Sequence, residues 1–379
     1  MTAFIDTSYN LRKGESTVKL TALTLTLLTV LLTAACGPAA VSPTAPPASP
    51  TSQPTPTQAT AEATPQSATT PQSATTPQSA PELTHIDLGV GFIPNVQFAP
   101  LYVAQAKGFY GDEGLEVALE YGFENDFVAL TAQGERQFAV ASGDQVILAR
   151  AQGLPVVYVM KWYQRFPVAV MALAKTGIDS PQELAGHSVG IPGLYGASYA
   201  AWKALVYAAG LDETEIRLES IGFTQAEAIS QEQVDAAVVY IANEPVQLTQ
   251  AGIDVNVIEV SDYIDLVSNG LITNEDLIGD NPDLVRRMVR ATLRGLEYTI
   301  AHPDEAFSIA RQAVPEITDE DEPTQRAVLD ASIALWRSDQ LGVSDPKAWS
   351  ESAEFMQATG LVESQVDVAR LFTNEFVEE

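Results

Sequence analysis

The sequence predicts an α/β protein built of two lobes, and three observations carry this. From about residue 84 the chain runs for nearly 300 residues, enough for two compact cores and too many for one ordinary core. Apolar strand-like runs alternate with helix-like runs at the spacing of parallel βαβ units. The alternation then repeats: a second unit resembling the first follows a change of lobe expected near Phe166–Leu173.

In chain order, His85–Phe92 reads as a strand and Phe98–Phe109 as a helix with Gly108 near its end. Leu115–Tyr121 is a strand, Asp126–Gln133 a helix, Phe138–Ala141 a short buried strand, Asp144–Ala151 a helix and Pro155–Lys161 a strand. In the second unit Ser188–Ile191 is a strand, and Ser198–Ala209 a helix stopped by Gly210. Strands Ile216–Ile221 and Val234–Tyr240 and helices Gln225–Gln231 and Glu244–Ala251 complete it. The chain is expected to cross back at Val255–Val260, so that residues 84–168 and 255–379 make one lobe and 169–254 the other. Beyond Asn281 the pattern is helical, with Pro282 and Pro303 opening two helices.

The body is preceded by two segments of different character. Arg12, Lys13 and Lys19 form a basic stretch, and Leu20–Leu32 a short apolar run below the roughly 20 residues that span a bilayer. Small residues then lead to Cys36, the single cysteine. This resembles a lipoprotein export signal over residues 1–35, with Cys36 acylated and the protein held by lipid outside the cytoplasmic membrane. Thr33 stands where such a site usually carries Leu, Val or Ile, and the alternative is an export signal with an incidental cysteine. From 36 to 83 the chain is Pro, Thr, Ser, Ala and Gln, with the unit Thr64-Pro65-Gln66-Ser67-Ala68-Thr69 recurring from Thr70 and again, truncated, from Thr76. Such a stretch buries too little to offset its entropy and reads as a disordered spacer.

The formal charge is −29; the leader contributes +1 (three basic residues against Asp6 and Glu15), which leaves −30 beyond it. That balance argues against nucleic acid as a partner. With Cys36 acylated, the folded part has no thiol for a disulfide or a metal. His85, His187 and His302 sit in polar contexts at element ends, and Asp112-Glu113 and Asp319–Glu322 read as solvated helix starts. No Gly-x-Ser-x-Gly elbow, Walker loop or His-Glu-x-x-His occurs, so neither an enzyme nor a metal or cofactor site is indicated.

What stands out is aromatic and amide side chains in five segments at expected strand ends: Phe92 with Asn95 and Gln97, Trp162 with Tyr163, Tyr195 with Ser198, Phe223 with Thr224 and Gln225, and Tyr240 with Asn243 and Glu244. Parallel sheets bind ligands outside the carboxyl ends of their strands, and flat rings with edge amides suit a flat heterocycle. Phe92, Trp162, Tyr195 and Tyr240 are the expected stacking rings, and Asn95, Gln97, Asn243 and Glu244 the edge partners. Trp162 and Tyr163 are adjacent, so at most one faces the cleft while the pair is extended. Trp202 and Tyr207 lie within a helix and are expected in the core.

These residues also resemble a known family. Gly91-Phe92-Ile93-Pro94-Asn95 with Leu101-Tyr102-Val103-Ala104, then Lys107-Gly108-Phe109-Tyr110, Glu113-Gly114-Leu115-Glu116-Val117, Val234-Asp235-Ala236 and Asn243-Glu244-Pro245, are similar to the periplasmic binding proteins for thiamine-pyrimidine precursors. The resemblance covers about Ile86–Ala301. It implies a type II-like two-lobe fold closing on a small vitamin, delivered to an ABC permease by a monomeric, non-catalytic protein. Pyrimidine binders usually carry histidine where this chain has Phe98, and Pro94–Pro100 is more similar to the lipid-anchored riboflavin-binding branch. Riboflavin is therefore the expected ligand, with a thiamine pyrimidine precursor as the alternative; a sensory domain or an exported enzyme ranks below both. If Cys36 is the anchor, cells fed a palmitate analogue should label the wild-type protein and not Cys36→Ser; equal labelling of both would exclude it.

Overall fold

The computed structural model describes residues 83–377; the leader, Cys36 and the spacer lie outside the described residues. Ten strands form two five-stranded sheets. The first sheet contains β1 (Thr84–Val90), β2 (Leu115–Tyr121), β3 (Phe138–Ser142), β4 (Val156–Lys161) and β10 (Asn269–Asn274), in the order β2-β1-β3-β10-β4. The second contains β5 (Val168–Leu173), β6 (Ser188–Ile191), β7 (Arg217–Ser220), β8 (Ala236–Tyr240) and β9 (Val255–Glu259), in the order β7-β6-β8-β5-β9. β3, β4, β5 and β6 are almost wholly buried, as runs such as Phe138-Ala139-Val140-Ala141 require when helices cover both faces of a sheet.

Helices α1 (Ala99–Ala106), α2 (Phe109–Asp112), α3 (Glu124–Ala132), α4 (Gly143–Ala151), α5 (Gly196–Ala209), α6 (Gln225–Ser230) and α7 (Glu244–Gln250) follow the strands. The remaining five are α8 (Glu275–Asp280), α9 (Pro282–Ala301), α10 (Pro303–Ala313), α11 (Glu322–Trp336) and α12 (Pro346–Ala358). α9 shows how the sequence sets an element: the Asn281 side chain caps Leu284 N–H, Pro282 occupies the first turn, and Leu284, Val285, Met288, Val289 and Leu296 make its buried stripe.

Each sheet has one reversed strand, β10 in the first and β5 in the second, antiparallel to both of its neighbours. The cause is the route of the chain. β4 ends at the interlobe side, so the strand entered directly after the crossing must run away from that side; the same holds for β10 after β9. The crossing back therefore comes later than the sequence suggested. Val255–Glu259 pairs with β5 across Val255↔Leu173 to Glu259↔Ala169, and the chain returns to the first sheet only at Asn269. Strand β10 itself was not anticipated. Tyr207 also departs from expectation, being 51% exposed with its ring tilted against Phe355, whereas Trp202 is fully buried.

Gly270 lets β10 fit between its neighbours. A Cβ there would lie 2.2 Å from the Met160 carbonyl oxygen and 2.2 Å from the Tyr158 ring. Backbone on one side and a fully buried ring on the other leave no room to yield. Gly270→Ala should cost about 1–3 kcal/mol by overpacking, read as a lower urea midpoint with an unchanged slope; a midpoint equal to wild type would refute this packing.

Candidate functional site

The loops after β1, β2, β6 and β7, the chain after β4, the end of β8 and the start of β10 all meet between the sheets. They enclose a cavity of about 940 Å³, counting its open mouth. Its position follows from the topology: carboxyl ends of the parallel strands and the amino end of the reversed β10 share one side.

The floor in the first lobe is aromatic. Trp162 and Tyr163 both line the cavity, which strand alternation would allow to only one of them were the pair extended. β4 ends at Lys161, and both backbone N–H groups then donate to the Asn269 carbonyl (3.1 and 3.2 Å), a turn that frees the pair from opposite facing. Trp336 packs behind them, its ring centroid 6.0 Å from Trp162 and 5.9 Å from Tyr163, and Phe98 meets Trp162 edge-on at 6.4 Å. The Trp162 indole N–H is buried with no hydrogen-bond acceptor.

The mouth is narrowed by rings from opposite lobes. Phe92 meets Phe223 edge-on at 5.0 Å, while Phe123 stacks on Phe223 at 5.9 Å and meets Tyr195 edge-on at 5.8 Å. Phe123, Tyr195 and Phe223 remain 47, 46 and 39% exposed, so this contact faces solvent as well as the cavity. Deeper in, the Tyr240 hydroxyl donates to Asn269 Oδ1 (3.3 Å), a second link between the lobes.

Gln97, Ser198, Asn243 and Glu244 also line the cavity, as does Tyr240. Two residues singled out from the sequence do not. Asn95 Oδ1 accepts from Gln97 N–H (2.9 Å) as the cap of a 3₁₀ turn, and the Thr224 hydroxyl donates to the Ile221 carbonyl (2.7 Å). Both side chains satisfy local backbone instead of turning to the cavity. Phe98, Phe223 and Gln225, within the segments singled out from the sequence, line the cavity too, whereas sequence reasoning missed Phe123, Glu124, Asn125 and Asn269. None of the three histidines is among the lining residues.

Two lining residues carry carboxylates. Glu124 Oε1 accepts from Ser142 Oγ–H (2.7 Å) and Ser142 N–H, and the carboxylate also accepts from Ala197 N–H of the other lobe. Although the residue keeps some exposure, its carboxyl group is desolvated; burial, and then the nearby Asp144 carboxylate, push it up to about 7. Asp144 is itself raised by burial, against a bond from Gln145 Nε2–H (2.7 Å). Glu244 accepts from Tyr240 N–H (3.0 Å) and Asn243 Nδ2–H (3.1 Å), and burial lifts it to about 6. The Asn243 oxygen accepts from Gln247 Nε2–H (2.8 Å).

A cavity closed between two α/β lobes is the working part of a solute-binding protein. Solved structures share the fold: the alkanesulfonate-binding protein SsuA of Xanthomonas axonopodis pv. citri, bound to MOPS, superposes with a TM-score of 0.63 at 14% identity, over 78% of this chain and all of that one. The NMT1/THI5-like family model matches residues 95–306, and the chain belongs to that family. It is 43% identical to the riboflavin-binding protein RibY of Chloroflexus aurantiacus, over 95% of this chain and 98% of that one. It is 30% identical to the formylaminopyrimidine-binding protein of Halalkalibacterium halodurans, over 77% and 90%. At 24% identity, over 78% and 92%, stands a 4-amino-5-hydroxymethyl-2-methylpyrimidine phosphate synthase of Legionella pneumophila.

The raised carboxyls set a pH dependence. Glu124 and Glu244 hold protons more tightly folded than unfolded, so their contribution is complete below the ordinary value of about 4.5 and is lost as pH rises through 6 and 7; Asp144, raised by burial, acts in the same direction. Asp235 and Glu275, held low by Ser188 N–H and by Arg150, act oppositely and only at more acid pH. The melting temperature should therefore peak near about pH 5 and fall toward about pH 8, with Glu124→Gln flattening the fall. A wild-type profile rising over that range would contradict the assignment.

Proposed function

We propose that this chain is the non-catalytic, ligand-binding component of an ABC importer that takes up riboflavin. It is anchored through Cys36 on the extracytoplasmic face of the membrane and hands its ligand to a permease. The observation that carries the reading is likeness to a riboflavin-binding relative over nearly the whole of both chains, combined with a cavity walled by rings. A flat tricyclic ring matches a floor of Trp162 and Tyr163 and a mouth of Phe92, Phe123, Tyr195 and Phe223. A carbonyl on its edge would satisfy the unpaired Trp162 N–H, and Gln97, Asn125, Gln225 and Asn269 offer both donors and acceptors. Among the described residues the polar lining is amides, carboxylates bound to backbone donors, and the hydroxyls of Ser198 and the tyrosines, with no Lys, His or Cys, which is why a binding role is preferred over the chemistry of the synthase-named relatives.

A thiamine pyrimidine precursor is the second reading, favoured by the formylaminopyrimidine-binding relative. Against it, Phe98 stands against Tyr121 and Trp162, an apolar surround that offers a small polar ring no partner. Titration of the purified protein decides. Riboflavin fluorescence should be quenched on stacking, and Phe92→Ala should weaken binding about ten- to a hundredfold while the melting curve stays near wild type. Unchanged flavin fluorescence, together with a melting temperature raised by formylaminopyrimidine, would overturn riboflavin in favour of the second reading.

A further inference from the structure

The charge of the cavity selects among forms of the ligand. Among the described residues that line it, Glu124 and Glu244 are the charged ones, with no Lys, Arg or His, and Asp144 stands next to Glu124. Yet α3, α5, α6 and α7 all begin at the cavity, and helix starts of this kind ordinarily cradle a ligand's phosphate with free backbone N–H groups.

Here key donors are already taken by the chain's own carboxylates. Glu124 occupies Ser142 N–H, which precedes α4, and Ala197 N–H in the first turn of α5. Glu244, at the start of α7, occupies Tyr240 N–H at the end of β8 and the Asn243 amide. Outward, the rings of Phe123, Tyr195 and Phe223 meet across the mouth, so a phosphate directed there would face apolar surface in place of a cation. An anionic ester would thus meet like charge within and hydrophobic surface without, and at Ser142, Ala197 and Tyr240 backbone donors that already have acceptors.

We propose that the cavity admits the neutral, unphosphorylated form of its vitamin and rejects the phosphate ester, with Glu124 and Glu244 as the specificity-determining residues. The inference rests on the riboflavin reading, and its test keeps the two apart. The full-length protein is titrated with riboflavin and with riboflavin 5′-phosphate, by fluorescence quenching at about pH 8. The wild type should bind the phosphate at least about a hundredfold more weakly. Glu124→Gln and Glu244→Gln should each narrow that ratio about tenfold, a readout that a purely structural role would not move because misfolding weakens both ligands together.

Equal affinity of the wild type for the two flavins overturns the inference and leaves the riboflavin reading intact. Loss of selectivity in neither variant overturns the assignment to these residues. Should neither flavin bind, the riboflavin reading falls, and the same comparison is made with the hydroxymethylpyrimidine and its phosphate. Preference for the free alcohol then upholds the inference; equal binding, or no binding by any of the four compounds, overturns it.

Discussion

Backbone N–H groups exposed where a strand gives way to a helix must find acceptors, and this constraint governs the interlobe side of the molecule. Parallel strands of both sheets deliver such groups to one side, at Ser142, Ala197 and Tyr240. Carboxylates that begin α3 and α7 meet the need, and in doing so they tie elements together. Glu124 is the clearest instance, because its partners belong to different lobes. The arrangement tolerates desolvated acids, which would be costly alone, since each is hydrogen-bonded by several donors.

Against this polar frame the aromatic residues do separate work. The inner group, Trp162, Tyr163, Phe98 and Trp336, is packed ring on ring and fixed by the Asn269 carbonyl, so its surface is preformed. The outer group is shared between lobes and half exposed, so its contacts exist only when the lobes are together. The floor thus belongs to one lobe and is packed from behind, whereas the rim is divided between the two.

Much of this was legible in the sequence. Leu115–Tyr121 and Ser188–Ile191 could be read to the residue, because apolar runs bounded by glycine and polar residues leave few alternatives. The rule that ligands gather at strand ends located Phe92, Gln97, Tyr195, Tyr240 and Glu244. It would also have found Phe123-Glu124, which follows β2 in the same way, had that loop been weighed with the others. β10 was hidden because Ser268-Asn269-Gly270 has the composition of a turn and only Leu271-Ile272 is apolar; the glycine is there to fit a crowded slot between strands. Pairing partners are equally invisible: Val255–Glu259 reads as a strand, but nothing local says which sheet it joins. Asn95 and Thr224 were misplaced because the same short polar side chains that suit a ligand also cap the backbone beside them.

The reversed strand β10 has a kinetic meaning as well. The second sheet is one uninterrupted stretch of chain, from Val168 to Glu259, and every partner it needs lies within that stretch. The first sheet is split: β4 has no neighbour until β10 arrives, and the Tyr158 hydroxyl reaches the Ser268 carbonyl across 110 positions of sequence. Closing so long a loop comes late, after local contacts have formed. A chain emerging amino end first would therefore complete the lobe it begins second, while the earlier strands wait with an open edge between β3 and β4 for the segment that seals them.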